Sequence, residues 1–444
     1  MKTILRNIPF MADVDWMIRS KNQTRRDHYN LSRLQKSLPN AVEVTKKYLQ
    51  KNTNAKKVLL FSTLHYWIEQ SAYLGLTLAG LGHDVTLLTL PYSEWHKEKD
   101  KFTQRQRILH TREALSSLSP LIKHASLLDL RPSTFDLPTA LQSDIKEISL
   151  WDSQYTLMRE EINMDDINDR ALYDLRIKRN TFAAQAAFEY LQANKPDVVL
   201  IPNGLILEMG IFFRVARYLN IDAVTYEFND QREQIWLAQN SSIMQQDTDY
   251  LVNERCNLPV TDEMFERVAD LENARRGARV WGKSKRLWQY VSSQGADETR
   301  KLLNLDNRPV VMLAANVLGD SLTLGRDIFA SSMTEWITKT VQYFAKRSDV
   351  QLVIRVHPGE KLVPQAKSMG TVVREALPEL PNHIHVIGAL DSINTYDLIE
   401  IADVGLAYTT TVGLETAMNG RPVISCGKTH YRARGFTLDP NSWN

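Results

Sequence analysis

The stretch KVLLFSTLHYWIEQSAYLGLTLAGLGHDVTLLTL, residues 57–90, decides the fold. Val58 to Phe61 is a short apolar, β-prone run followed by the polar Ser62 and Thr63. A helical pattern then runs from about Trp67 to Ala79 and ends at Gly80 and Gly82. Asp84 to Leu90 reads as a second buried strand, stopped by Pro91. Strand, helix and strand at this spacing form a βαβ unit, and such a unit implies a parallel sheet.

Outward from this unit, residues 92–180 are charged and mostly helical in pattern, with a break at Arg131 and Pro132. Alternation resumes with a helix from Thr181 to Ala193, a strand from Asp197 to Ile201, a helix from about Glu208 to Leu219 and a strand from Ala223 to Glu227. Residues 231–305 read as helical and polar, without strands. From Pro309 onward a second series follows: strands at 310–314, 351–356, 383–387, 404–407 and 422–425, with helices at 328–346, 392–401 and 412–418. The expected architecture is α/β, with two doubly wound, Rossmann-like domains facing across a cleft. The expected boundaries are a basic helical arm at 1–54, a first domain at 55–230, a helical connector at 231–305 and a second domain at 306–444. Ligands of such sheets bind at the carboxyl ends of the strands.

Composition removes several classes of function. The 444 residues are 43% hydrophobic and 24% charged, which excludes fibrous and disordered chains. Lys plus Arg is 54 against 52 Asp plus Glu, a balance that argues against a nucleic-acid binder. Cys256 and Cys426 alone do not make a disulfide scaffold or a cysteine zinc site, and they fit a reducing compartment. No run approaches the ~20 apolar residues that span a bilayer, and the first residues carry charge too early for a signal peptide. The charge is uneven, however. Residues 1–51 hold eleven Lys/Arg and four Asp/Glu, a local +7, which suits either a solvated surface or contact with an anionic membrane.

Three loops carry the chemistry. In Tyr408-Thr409-Thr410-Thr411-Val412-Gly413-Leu414-Glu415, three hydroxyls occupy the turn from a strand into a helix, where backbone N–H groups and the helix dipole favour an anion. Glu415, one turn further, suits the vicinal hydroxyls of a ribose. The competing reading is a threonine cap with Glu415 as its capping-box partner. In Arg355-Val356-His357-Pro358, a histidine at a strand end can donate to a phosphate oxygen, with Arg355 holding charge nearby. Packing alone also accounts for a strand-end histidine. The third loop, Gly427 to Thr437, is basic and aromatic, and includes His430 and Tyr431. It reads either as a cover for an anion or as a solvated loop.

The run from Arg355 through Thr437 resembles the C-terminal domain of capsule and surface polysaccharide glycosyltransferases of the GT-B type. The matching elements are His357-Pro358, the Thr409–Glu415 turn, Gly420-Arg421-Pro422-Val423, and His430-Tyr431 with Gly435-Phe436-Thr437; Asn316-Val317, Asp320 and Glu335-Trp336 also fit. The resemblance implies a donor site built from Asn316, Arg355, His357, Thr409, Thr410, Thr411, Glu415, His430 and Tyr431. It implies transfer of a sugar from a nucleotide donor, CMP-Kdo or a UDP-sugar, to a glycan or lipid-linked acceptor at the cytoplasmic side of a membrane. It also implies that phosphate charge is handled by protein groups, so neither a metal nor a cofactor is expected. GT-B chains commonly end in a helix that returns to the first domain; here Asn444 follows soon after Thr437, and residues 1–50 could play that part.

Candidate acid–base groups are His65 at the end of the first strand, Glu208 and Asp230 at later strand ends of the first domain, and Asp320 in the first loop of the second; Glu227 is a further carboxylate alternative. For each of them ordinary loop polarity is the competing reading. A nucleotide-sugar 2-epimerase, a polyol-phosphate transferase and a non-catalytic nucleotide-sugar binder are the alternative functions.

Overall fold

A computed structural model describes residues 10–19, 29–92, 94–130, 132–133, 135–228, 234–279, 290–364 and 366–443. The chain divides into two compact units. The first comprises 1–153, 163–227 and 236–244, and the second 154–162, 228–235 and 245–444.

In the first unit, α1 (Met11–Arg19) and α2 (Ser32–Lys47) precede β1 (Lys57–Thr63), α3 (His65–Gly80) and β2 (Asp84–Leu90). There follow α4 (Lys101–Ala114), β3 (Ile122–Ser126), α5 (Thr139–Leu157), α6 (Ile167–Asn194), β4 (Val198–Pro202), α7 (Leu207–Tyr218), β5 (Asp222–Phe228) and β6 (Ile235–Gln239). The sheet order is β3-β2-β1-β4-β5-β6, and the pairs among β1 to β5 are parallel. Every residue of β1 after Lys57 is buried, as expected of a strand covered on both faces by helices.

Two strands depart from the sequence reading. β3 was expected to be part of a helical stretch, yet it pairs with β2 from Val85 opposite Ile122 to Thr89 opposite Ser126. Its sequence, Ile-Lys-His-Ala-Ser, shows little apolar patterning because an edge strand is only half covered. β6 falls in the stretch expected to lack strands. It forms the opposite edge, with only Ala238 of its five residues buried. The helix read at 181–193 is the second half of the 28-residue α6.

The second unit contains α8 (Asp249–Arg255), α9 (Asp262–Arg276), α10 (Ala296–Leu302), β7 (Val310–Ala314), α11 (Met333–Phe344), β8 (Gln351–Arg355), α12 (Met369–Ala376) and β9 (Ile384–Ile387). It ends with α13 (Thr395–Ile401), β10 (Val404–Ala407), α14 (Val412–Met418) and β11 (Val423–Ser425). Its order, β11-β10-β7-β8-β9, is wholly parallel. Read from β9, this is the same 3-2-1-4-5 winding as in the first sheet. Side-chain alternation divides its core. Val311, Leu313, Leu352 and Ile354 pack with Trp336 on one face, and Val310, Met312 and Val353 pack with Leu398 and Ile399 on the other. Helix α11 begins at Met333 rather than 328, because Ser332 caps it through Glu335 N–H and Glu160 accepts from Met333 and Thr334 N–H at 2.8 Å each. No described helix is long and apolar enough to cross a membrane.

Candidate functional site

In the second sheet the strand order reverses between β7 and β10, and ligands of open α/β sheets bind at the carboxyl ends beside such a reversal. A pocket of about 740 Å³, partly open to solvent, lies there. Ala314 and Ala315 line it from the end of β7, Arg355 and His357 from β8, Asn394 and Tyr396 from the start of α13, and Thr410, Thr411 and Glu415 from the turn after β10.

Arg355 has the most demanding environment. It is 4% exposed. Its Nη1 donates to the Gly388 carbonyl at 2.6 Å, and its buried Nε has no acceptor among the described residues. No carboxylate lies within ion-pair distance of it among the described residues. Burial holds its pKa below the ordinary arginine value, only partly opposed by Tyr290 and Asp391. A buried guanidinium without a paired carboxylate is costly by itself and suits an anionic ligand.

His357 caps the short turn after β8. Its Nδ1 accepts the Gly359 N–H at 3.0 Å, so in the neutral ring the proton sits on Nε2. The Gly359 contact thus fixes the tautomer of the neutral ring of a pocket-lining residue. Glu415 forms an ion pair with Arg275 of α9, and both residues line the pocket. The capping-box reading of this turn is not met. Thr411 makes no side-chain cap, whereas the Thr410 hydroxyl accepts the Val412 N–H at 3.3 Å.

The remaining expected donor residues stand behind this lining. Asn316 Oδ1 accepts the Thr409 N–H at 3.2 Å and so fixes the turn from beneath. Thr409 is buried, with its hydroxyl lacking a partner. Tyr431 is 2% exposed and donates its hydroxyl to the Thr410 carbonyl at 2.7 Å, bracing the turn from the core side. His430 does not line the pocket. Burial lowers its pKa to about 4, assisted by Arg326 and Arg434. Asp320 lies near Arg326 as well; burial raises its pKa, and it accepts the Leu322 N–H at 2.8 Å.

Arg275, Tyr290, Asn394 and Tyr396 are among the pocket residues that the sequence did not single out. Asn394 explains how the first two arrive. Its Oδ1 caps α13 through Tyr396 N–H, and its Nδ2 donates to the carbonyls of Arg276 (3.1 Å) and Val291 (2.7 Å). The end of α9 is thereby tied to the pocket wall, although its sequence reads as part of a polar helical connector.

In the first unit the strand order reverses between β1 and β4. Leu64, after β1, and Leu207, after β4, hold left-handed φ values of 60° and 57°. Such strain costs ~1–3 kcal/mol per residue and concentrates at functional loops. His65 follows Leu64, with edge-on ring contacts to Tyr29 and Tyr66. Glu208 sits differently from a solvent-reachable carboxylate. It is 2% exposed and pairs with the fully buried Arg176 at 3.0 Å, while Asp152 takes the Arg176 Nε, the Asn180 amide and the Leu207 N–H. This is a core network whose charge stabilises α5, α6 and α7 against one another. Glu227, at the end of β5, has a buried Oε2 with no partner, and burial raises its pKa to about 7. Asp230 lies outside the described residues.

Residues 250–443 match the profile of the capsule polysaccharide biosynthesis protein family. The match covers a little under half of the chain and contains all the pocket residues. The resemblance read between Arg355 and Thr437 falls wholly within it. No curated protein sequence matches the chain. Among solved structures, the KpsC β-Kdo 2,4 transferase of Thermosulfurimonas dismutans is similar at 15% identity, over 55% of this chain and 73% of that chain, with a TM-score of 0.36. The UDP-GlcNAc 2-epimerase of Neisseria meningitidis has 12% identity over 83% and 81%, with a TM-score of 0.23. A glycosyltransferase of Rickettsia africae has 10% identity over 88% and 85%, with a TM-score of 0.27.

Proposed function

We propose that the protein is a glycosyltransferase of capsular or surface polysaccharide synthesis, and that the pocket of the second unit receives the phosphate and ribose of its nucleotide-sugar donor. The observation that carries this reading is Arg355: a buried guanidinium with no paired carboxylate among the described residues, lining the same pocket as His357. When the sugar–phosphate bond breaks, negative charge grows on the leaving phosphate. Arg355 and His357 are fixed before that happens, so their donors stabilise the developing charge without reorganising. The free Glu415 oxygen suits a ribose diol, with Arg275 holding the other oxygen in place. Asn316 and Tyr431 position the threonine turn.

The acceptor is assigned to residues 55–230, where His65 and Glu227 stand at carboxyl strand ends. A group near pKa 7 is suited to removing the proton of an attacking hydroxyl. A CMP-linked Kdo and a UDP-sugar both satisfy the pocket chemistry, and a glycan or lipid-linked glycan is the expected acceptor.

The test is calorimetric titration of CMP, UDP, GDP and CDP, followed by turnover of the matching nucleotide sugars with and without a glycan acceptor. Transfer that requires acceptor and survives EDTA is the expected result. Donor conversion without acceptor would indicate an epimerase instead, and nucleotide binding without any turnover would indicate a binding protein. Absence of nucleotide binding would refute the pocket assignment.

A further inference from the structure

Helix α1 is amphipathic, but it is docked with its polar side inward. Asp13 takes a two-pronged hydrogen bond from Arg105 of α4, at 2.7 Å for Nη2 and 3.1 Å for Nε. Asp15 accepts from Gln106 at 2.5 Å, Trp16 donates its indole N–H to Glu113 at 3.2 Å, and Ala12 is buried. At 100° per residue these four positions occupy one side of the helix. Val14, Met17 and Ile18 fall on the other, at the i, i+3, i+4 spacing of an apolar stripe, and are 44%, 76% and 76% exposed; Phe10, 80% exposed, immediately precedes the helix with a left-handed φ of 64°. A helix that turns its half-buried carboxylates toward its own unit and exposes large apolar side chains reverses the usual arrangement.

The charge around the stripe indicates what covers it. Residues 1–51 contain eleven Lys/Arg and four Asp/Glu. Two of those four acids, Asp13 and Asp15, are bonded to α4. Among the described residues of the arm the one other acid is Glu43, which pairs with Lys46 at 2.7 Å, so cations remain in excess there. Arg33, Lys36, Lys46 and Lys47 of α2 are exposed, while Leu34, Leu38 and Val42 anchor that helix. An exposed apolar stripe of large side chains in a basic segment matches the chemistry of an anionic bilayer interface, where the apolar face enters the headgroup boundary and the cations meet the lipid phosphates. A second copy would bring the same cations against this surface, whereas an anionic lipid surface complements them.

We propose that α1 is an interfacial membrane anchor, inserting Phe10, Val14, Met17 and Ile18 into an anionic lipid surface while Asp13, Asp15 and Trp16 keep it fixed to the first unit. The assignment does not depend on the activity of the pocket.

Co-sedimentation of the full-length protein with phosphatidylcholine vesicles, with and without phosphatidylglycerol, tests it. The protein should pellet with the anionic vesicles at low salt, and binding should weaken at high salt. Met17→Glu with Ile18→Glu should reduce partitioning at least about tenfold, while the melting temperature stays at the wild-type value because both side chains are exposed. Met17→Leu with Ile18→Leu should bind like wild type. Equal binding to neutral vesicles, or anionic binding that survives the double glutamate variant, overturns the proposal. So does concentration-dependent dimerisation that the glutamates abolish in the absence of vesicle binding, since the stripe would then belong to a second copy.

Discussion

Replacing Arg355 with methionine separates a ligand-binding arginine from a structural one, because the two roles predict opposite signs. The guanidinium is 4% exposed, makes one hydrogen bond to Gly388 and leaves Nε without an acceptor among the described residues. Asp391 stands one step away, accepting the Gly388 N–H at 2.6 Å, so its compensation is indirect. Losing the Gly388 bond costs about 0.5–1.5 kcal/mol, whereas removing an incompletely paired buried charge in favour of a packed apolar chain gains a comparable or larger amount, about 1–4 kcal/mol. The ligand-free variant should therefore melt at or above the wild-type temperature. Its affinity should move the other way. A hydrogen bond to a charged group contributes about 1.5–3 kcal/mol, so nucleotide binding should weaken about 10- to 150-fold. Thermal melting of the free protein and calorimetric titration with the preferred nucleotide measure both numbers. A variant that melts lower and binds nucleotide as tightly as wild type would show that Arg355 serves the fold alone.

Four further substitutions, at three residues, report on other parts of the molecule. His357→Asn retains an acceptor for the Gly359 N–H but lacks the ring Nε2–H, so it should keep its melting temperature and lose about 1.5–3 kcal/mol of nucleotide affinity; His357→Gln should do the reverse, and equal effects from the two would refute the tautomer argument. Tyr431→Phe leaves the Thr410 carbonyl with the Gly413 N–H at 3.3 Å but without its hydroxyl donor, and denaturant unfolding should show a loss of about 0.5–1.5 kcal/mol together with weaker nucleotide binding; stability falling with affinity unchanged would mean that the brace does not govern the pocket. Glu227 has a native pKa of about 7, well above that of an unfolded glutamate, so the native state keeps its proton between about pH 4.5 and 7 where the unfolded chain has released it. Its contribution is favourable at acid pH and is lost as pH rises through 7. Glu227→Gln should accordingly be more stable than wild type at pH 8, by up to about 3 kcal/mol, with the difference vanishing near pH 4. A pH-independent difference in urea unfolding would contradict the burial of its carboxylate.

The buried parallel strands were legible because burial on both faces leaves near-continuous apolar runs such as Val58 to Phe61 and Val310 to Ala314, and because each is punctuated by a helix of the right length. The edge strands β3 and β6 were not, since half-covered backbone imposes no such run and Ile-Lys-His-Ala-Ser reads equally well as helix or loop. The pocket divides in the same way. Arg355, His357, Thr410, Thr411 and Glu415 could be read because they belong to loops directly at strand ends, where position along the chain already fixes position in space.

What sequence alone determined, then, is everything carried by local periodicity: two doubly wound sheets and the strand-end residues of the second. Tertiary structure decided the rest. Arg275 and Tyr290 reach the pocket through the long-range hydrogen bonds of Asn394, and Glu208 is drawn into a buried ion pair by Arg176, thirty-two positions away in sequence. The apolar stripe of α1 could be counted from its letters, but its outward orientation follows from Arg105 and Gln106, which hold the opposite side. The reason is common to all three. A side chain's chemistry is local, but its burial and its partner are set by segments distant in the chain, and burial and partner decide whether a charge is a structural tie, a ligand site or a surface.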